Sequence, residues 1–409
     1  MSVKKILHQL RQSGYLVEIL GATNFDNAVA LDQLKYLKKA ISDQTNPEIK
    51  FLEIEDDGIT HRLVRTRTTQ RQLMNTEESN LLFTSYVDRL ERFKPDLIFF
   101  YGGTLIELLI TAEARARNIP SVAYLVNENY QGTRWCRDVD LIITDTAATS
   151  NYYQKKYGLN PKPIGKFIEF GDIVPKDHQR THLTFVNPEW EKGGAIVAVL
   201  AILLNEQRPD IPIEVVESRG DWTKMLEEVS RQAFNKTISN LDNVKIQKNT
   251  SKMYDVYGRS RCLIAPSLWR ESGARVLAEA MINGIPALIS DVGGNREMTG
   301  PGGIVLEIPK DCFERPYNKI PPMKSFNSII TTVKRLWDDK KFYSAKSAQA
   351  AIYGLQNFQL GLATQRLIEE FTPLLEAQAG NYDQTKIIER KHKHKVKEEL
   401  VSELSKQIN

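Results

Sequence analysis

Short, mostly apolar runs recur along this chain, and they constrain its fold more than any other feature. LIFFYGG (97–103), VAYLV (122–126) and LTFVN (183–187) are apolar at odd and even positions alike. A run that short and that apolar suits a strand buried on both faces. Helical spacing separates them, over 3–12, 31–41, 77–93, 105–117, 147–157 and 195–205. Further strands are expected over 15–22, 49–54, 140–144, 162–168, 213–216, 244–247 and 262–265, with a polar, irregular segment over 56–69. Alternation of this kind predicts an α/β fold with doubly wound parallel sheets, whose ligands sit at the carboxyl ends of the strands. Gly102, Gly103, Asn127 and Glu128 fall at such ends. The segment 161–182, rich in Pro, Gly and charge, reads as a connection between two such sheets.

Residues 267–297, SLWRESGARVLAEAMINGIPALISDVGGNRE, combine a loop, a helix, a short strand and a glycine loop. Glu271, Ser272 and Gly273 stand where the loop becomes a helix, with helix formers from Ala274 to Ile282 and an Asn283-Gly284 stop. A helix N-terminus attracts phosphate, because its N–H groups are unpaired and its dipole is positive there. Glu279 follows Glu271 by eight residues, which is about 800° of helical rotation, roughly 80° past two turns. On that geometry both acids edge one groove and accept from sugar hydroxyls. An ordinary surface helix can also carry two acids eight apart. Gly293-Gly294 marks a second glycine loop opening a helix.

PSLWRESG, EAM, NGIP and DVGGNRE in register resemble the E-x7-E segment of retaining GT-B glycosyltransferases, the family 4 or group 1 type. The resemblance covers roughly 3–375. It implies two Rossmann-like domains facing across a cleft: an acceptor-side domain over 1–170, a nucleotide-sugar domain over 171–345, and a helix over 346–377 crossing back, before a charged tail over 378–409. It implies that Glu271 binds donor sugar hydroxyls and Glu279 the ribose. Ser272, Gly273 and Ala274 then offer backbone N–H groups, and Gly293 and Gly294 form a donor or acceptor loop. In VNPEWEKGG, Lys192-Gly193 match the family's diphosphate-binding Lys-Gly, and Lys192 is expected to stabilise the leaving group. The arginine that usually precedes this pair is replaced by Asn187 or Pro188, with Arg219, Arg270 and Arg275 as candidate substitutes. Tyr254 to Tyr257 resemble the segment near the nucleotide base, although an amphipathic helix explains them as well. No cofactor or metal is implied beyond the nucleotide-diphosphate sugar.

The chain departs from the family in two further places. It begins within what resembles the first helix, so the first strand and its Gly-Gly loop are missing from the expected sheet. After VAYLV, where the family often has histidine, NENYQ follows. Asn127 and Glu128 are therefore expected on the acceptor side. The acceptor is a sugar, a lipid-linked molecule or a small metabolite. A catalytically impaired subunit that binds nucleotide sugar for a partner, or a nucleotide-sugar epimerase, is the alternative activity. No residue pair declares epimerase acid/base chemistry, and no pyridoxal lysine of a phosphorylase is found.

Composition excludes other classes. The net charge is +4, and residues 386–400 hold six Lys or Arg against three Glu, so the body is near neutral and nucleic acid is not an expected partner. Cys136, Cys262 and Cys312 are scattered, which suits a reducing, cytoplasmic setting. Neither a long apolar run nor an export signal is present. The tail 386–404 reads either as a solvated segment or as a basic helix lying at the inner face of a membrane.

Overall fold

A computed structural model of the chain describes residues 2–24, 50–68 and 70–379. The expected helix over 31–41 and the tail from 380 onward lie outside the described residues. The chain divides into two compact units: Met1–Leu125 with Tyr130–Ile143 and Thr364–Asn409, and Val126–Asn129 with Thr144–Ala363.

In the first unit α1 (Ser2–Gln12) buries Ile6, Leu7 and Leu10, one face of an amphipathic helix. It precedes β1 (Glu18–Ala22), β2 (Phe51–Asp56) and β3 (Ile59–Val64). The strand β3 corrects the reading of 56–69 as irregular. Asp57 and Gly58 both take positive φ, 49° and 74°, as the mirror-image hairpin turn favoured by Asp-Gly requires. Strands β2 and β3 then pair antiparallel from Asp56↔Ile59 to Phe51↔Val64. Residues Ile59, Leu63 and Val64 are buried while Arg62 reaches Glu53, so polar residues hide a half-buried strand. β1 joins β3 in parallel, giving the order β1-β3-β2.

α2 (Thr76–Arg92) opens with a capping box of Asn75 and Glu78. β4 (Ile98–Phe100), α3 (Leu105–Ala116), β5 (Ser121–Leu125) and β6 (Leu141–Thr144) follow. β4 and β5 run parallel. Among the described residues no strand joins β1 to β4, yet Leu20 of β1 and Ile98 of β4 both pack on the cluster around Tyr86 and Leu90 of α2.

The second unit contains α4 (Ala147–Tyr157), β7 (Lys162–Pro163), β8 (His182–Val186), α5 (Gly194–Gln207), β9 (Ile213–Val216), α6 (Trp222–Phe234), β10 (Val244–Gln247), α7 (Met253–Arg259) and β11 (Ser260–Ala265). Then come α8 (Arg275–Ile282), β12 (Ala287–Ile289), α9 (Asn295–Thr299), β13 (Gly303–Val305), α10 (Phe326–Asp338) and α11 (Lys340–Asn357). The short strand expected over 162–168 is reduced to two residues. Six parallel strands form one sheet in the order β10-β9-β8-β11-β12-β13. α5 is apolar on nearly every side and buried from Ala195 to Ile202, the behaviour of a helix enclosed by a core. α6, not expected from the sequence, is capped by Asp221 and buries Trp222, Met225, Leu226 and Val229 along one stripe.

The long helix expected near the C-terminus is two helices. α11 ends as Phe358 turns into the core beside α8, and α12 (Leu360–Ala379) starts anew. From Thr364 onward α12 belongs to the first unit, where Phe371 lies 6.2 Å from Phe99 between ring centroids.

Candidate functional site

In the six-stranded sheet chain order reverses between β8 and β11, which are neighbours although two strands of the sheet, β9 and β10, separate them in the chain. Helices after the two strands diverge there, leaving a crevice at the carboxyl ends, the usual ligand position on an open α/β sheet. Two loops meet at this point. Glu191 O accepts from Leu268 N at 2.9 Å and Trp269 N at 3.0 Å, lacing the loop after β8 to the loop after β11. Gly193, with φ 79°, allows this approach: a Cβ there would lie 2.2 Å from Pro266 O. The lacing sets Lys192 against Glu271, residues 79 positions apart, with Nζ on Oε1. Ser267 Oγ donates to the same oxygen at 3.1 Å.

The first helical residue is Arg275; Glu271 to Ala274 are not helical. Helical rotation therefore does not relate Glu271 to Glu279, contrary to the sequence reading. Glu271 stands on the loop with its side chain 14% exposed, whereas Glu279 points into the unit and is 5% exposed. Its Oε2 accepts from Tyr257 Oη at 2.6 Å and its Oε1 from Arg275 Nε at 2.5 Å. Two bonds leave part of the carboxylate's acceptor capacity open. Burial, and then the Glu279 charge, hold the Tyr257 hydroxyl protonated far above its ordinary range. The tyrosine segment thus contacts the donor-expected helix through Tyr257.

The second glycine loop stacks on the first, main chain on main chain. Gly294 N donates to Glu271 O at 2.9 Å, and a Cβ on Gly293, where φ is 55°, would lie 1.9 Å from that same oxygen. The helix it opens, α9, has only five residues. Ser272 is buried: its carbonyl accepts from Thr146 Oγ1 at 2.6 Å and its hydroxyl from Thr149 Oγ1 at 2.8 Å. Gly273 packs by Thr146 and Met298, with Lys166 close behind. Ala274 is the helix N-cap. Sequence reasoning missed this support. Glu297 accepts from Ala147 N and Ala148 N, 2.8 and 2.9 Å, at the start of α4, and Lys166 pairs with buried Asp145. Thr146, just before the helical run 147–157, is the one local signal that could have pointed there.

Residues 126–129 belong with the second unit. Glu128 is 9% exposed; Oε2 accepts from Arg270 Nε at 2.6 Å and Oε1 has no partner. Burial raises its pKa, against the pull of Arg270. The Asn127 side chain is spent locally, Oδ1 accepting from Asn129 N, and its carbonyl accepts from Tyr153 Oη. Gly102 and Gly103 lie in the first unit beyond β4, against Glu107 and Tyr130, and are not brought to the Lys192–Glu271 contact within one unit.

The candidate arginines separate. Arg275 serves Glu279 and Arg270 serves Glu128. Arg219 is exposed, and its N–H and that of Gly220 donate to Asn187 Oδ1 at 3.1 Å each. The residue standing near the missing arginine thus anchors the loop that carries another. Among the described residues no group of three or more His, Cys, Asp or Glu is placed to hold a metal, and no helix is long and apolar enough to cross a membrane.

This geometry is that of a GT-B-type α/β protein with parallel sheets. Residues 176–311, within the second unit, match the model of glycosyl transferases group 1. Sucrose-phosphate synthase (tll1590) from Thermosynechococcus elongatus aligns with a TM-score of 0.62 at 14% identity over 92% of this chain and 93% of that one. A glycosyltransferase from Rickettsia africae ESF-5 aligns with 0.65 at 13% over 91% and 94%. Anabaena Alr3699/HepE, in complex with UDP and glucose, aligns with 0.57 at 16% over 76% and 86%. At these identities the likeness is one of fold. A search of curated proteins finds no match.

Proposed function

We propose that this protein is a retaining, metal-independent glycosyltransferase that moves a sugar from a nucleotide-diphosphate donor to a hydroxyl acceptor. The observation that carries the reading is the Lys192–Glu271 contact at the switch point of the second sheet. An ion pair there satisfies two groups that a donor would engage separately, the cation on the diphosphate and the carboxylate on sugar hydroxyls. As the C1–O bond to the diphosphate breaks, charge grows on the leaving oxygen. Lys192 and the N–H groups of Ser272, Gly273 and Ala274 then stabilise the transition state more than the ground state. The acceptor oxygen bonds to C1 on the same face and passes its proton to the departing phosphate, so neither a covalent nucleophile nor a cofactor is needed. Glu279, held by Tyr257 and Arg275, takes the ribose with its remaining acceptor capacity. Gly193, Gly293 and Gly294 let the loops that frame the donor pack on one another; Gly102, Gly103, Asn127 and Glu128 serve the acceptor side.

The UDP and glucose bound by the Anabaena protein make a UDP-sugar the first donor to try. The acceptor is a sugar, a lipid-linked molecule or a small metabolite, and the setting is the cytoplasm. A second reading, a subunit that binds donor without turning it over, draws on Asn187, which performs a structural task near the position of the missing cation. Incubating purified protein with a panel of nucleotide sugars and reading nucleoside-diphosphate release separates the two. Release that falls at least 100-fold in Glu271→Gln supports the transferase; binding without release in wild type favours the inactive subunit.

A further inference from the structure

A pocket of about 400 Å³, open to solvent, lies on the second unit among the segment 178–180, the end of α8 and the start of α11. Its polar lining is His178, Arg180, Asn283, Tyr343, Ser344 and Ser347, with no carboxylate. Arg180, held at φ 55°, donates from Nη2 to Asn283 O at 2.5 Å and from Nη1 to Ser260 O at 3.4 Å. Behind Tyr343, Arg261 lies 3.9 Å from the ring centroid and donates only to Leu336 O. Among the described residues neither guanidinium has an Asp or Glu within ion-pair distance. Elsewhere in this unit the comparable arginines are matched: Arg259 with Glu214, Arg275 with Glu279. Helix-terminal carbonyls offset part of the charge of each, and a guanidinium has five N–H donors, more than these bonds use.

Asn283 adds a second requirement. Its Nδ2 donates to Glu279 O at 2.9 Å and Ile173 O at 3.2 Å, which fixes the amide's orientation. Its Oδ1 has no donor, although the residue is only 4% exposed. The Tyr343 hydroxyl is also buried, with the Ser347 hydroxyl beside it. Native proteins leave few buried acceptors like Asn283 Oδ1 unpaired. Cations lacking an anion beside an acceptor lacking a donor define a complementary ligand. The volume is that of an ordinary small-molecule site.

We propose that this pocket binds a small hydroxylated anion of the sugar-phosphate class, its phosphate on Arg180 and a hydroxyl on Asn283. The site is separate from Lys192 and Glu271. Isothermal titration of the full chain with a hexose phosphate, and with inorganic phosphate, tests it. Lys192→Ala removes the phosphate cation of the other site and should leave hexose-phosphate binding within two-fold of wild type. In the Lys192→Ala background, Arg180→Gln should weaken it at least ten-fold. Ala348→Trp, which fills the cavity and removes no hydrogen bond, should do the same, so loss does not depend on a variant that unfolds. Binding that survives Ala348→Trp, or is absent from Lys192→Ala, overturns the proposal. So does an Arg180→Gln that lowers Tm while binding stays unchanged, for then the arginine only caps helix carbonyls.

Discussion

Replacing Gly293 by alanine probes the stacking of the two glycine loops. The new Cβ would meet Glu271 O at 1.9 Å, where real contacts stay beyond 3.0 Å, so one backbone must retreat by about 1 Å. That oxygen is main chain and cannot rotate away. Its retreat breaks the 2.9 Å bond from Gly294 N. Holding alanine at φ 55° costs about 1–2 kcal/mol, and the lost hydrogen bond about 1 kcal/mol. The sum, about 2–3 kcal/mol, corresponds to a fall in Tm of roughly 5–10 °C for a unit of this size. Glu271 moves with its carbonyl, away from Lys192. A displacement of about 1 Å in a positioning group costs on the order of 100-fold in rate. Scanning calorimetry and donor turnover would be compared with Gly171→Ala, whose Cβ meets nothing within 4 Å. If Gly293→Ala matches Gly171→Ala in both measurements, the loops do not support one another as described.

Tyr257→Phe should cost about 1.5–3 kcal/mol, the worth of a hydrogen bond to a charged group, and should weaken donor binding because Glu279 loses one of its two holders. Paired calorimetric and titration measurements check it; an unchanged Kd with lowered Tm would leave Glu279 no part in the donor site. Glu128 supplies a pH dependence. Its folded pKa is raised above the unfolded value by burial, so the folded state binds more protons than the unfolded state between the two. Stability then falls as pH rises from about 4.5 through the raised value. Relative to Glu128→Gln, wild-type Tm should decline across that window and level off above it; parallel curves would remove the effect.

The second sheet was readable because its strands are buried on both faces. LTFVN and the strand over 262–265 are mostly apolar, with no polar alternation to mislead, and the loops after them gave Lys192 and Glu271. β3 was not readable by apolar content, since Thr60, His61 and Arg62 dilute it; the Asp57-Gly58 turn was the overlooked signal. α6 was missed although Asp221 and the stripe Trp222, Met225, Leu226, Val229 mark it. At the site, spacing related Glu271 to Glu279 by helical rotation, and that relation does not hold because the helix starts four residues after Glu271. Nor could it show that Glu279 turns inward to Tyr257, a tertiary contact across 22 residues. The buried coupling Ser272–Thr149 and the more exposed one between Glu297 and Ala147 span more than 100 positions and leave no local pattern.

The most direct measurement is a crystal structure with an intact nucleotide sugar bound. The account predicts a diphosphate between Lys192 and the N–H groups of 272–274, sugar hydroxyls on Glu271, and the Lys192–Glu271 ion pair broken. A donor bound away from the ends of β8 and β11, or seated there with that ion pair intact, would contradict it.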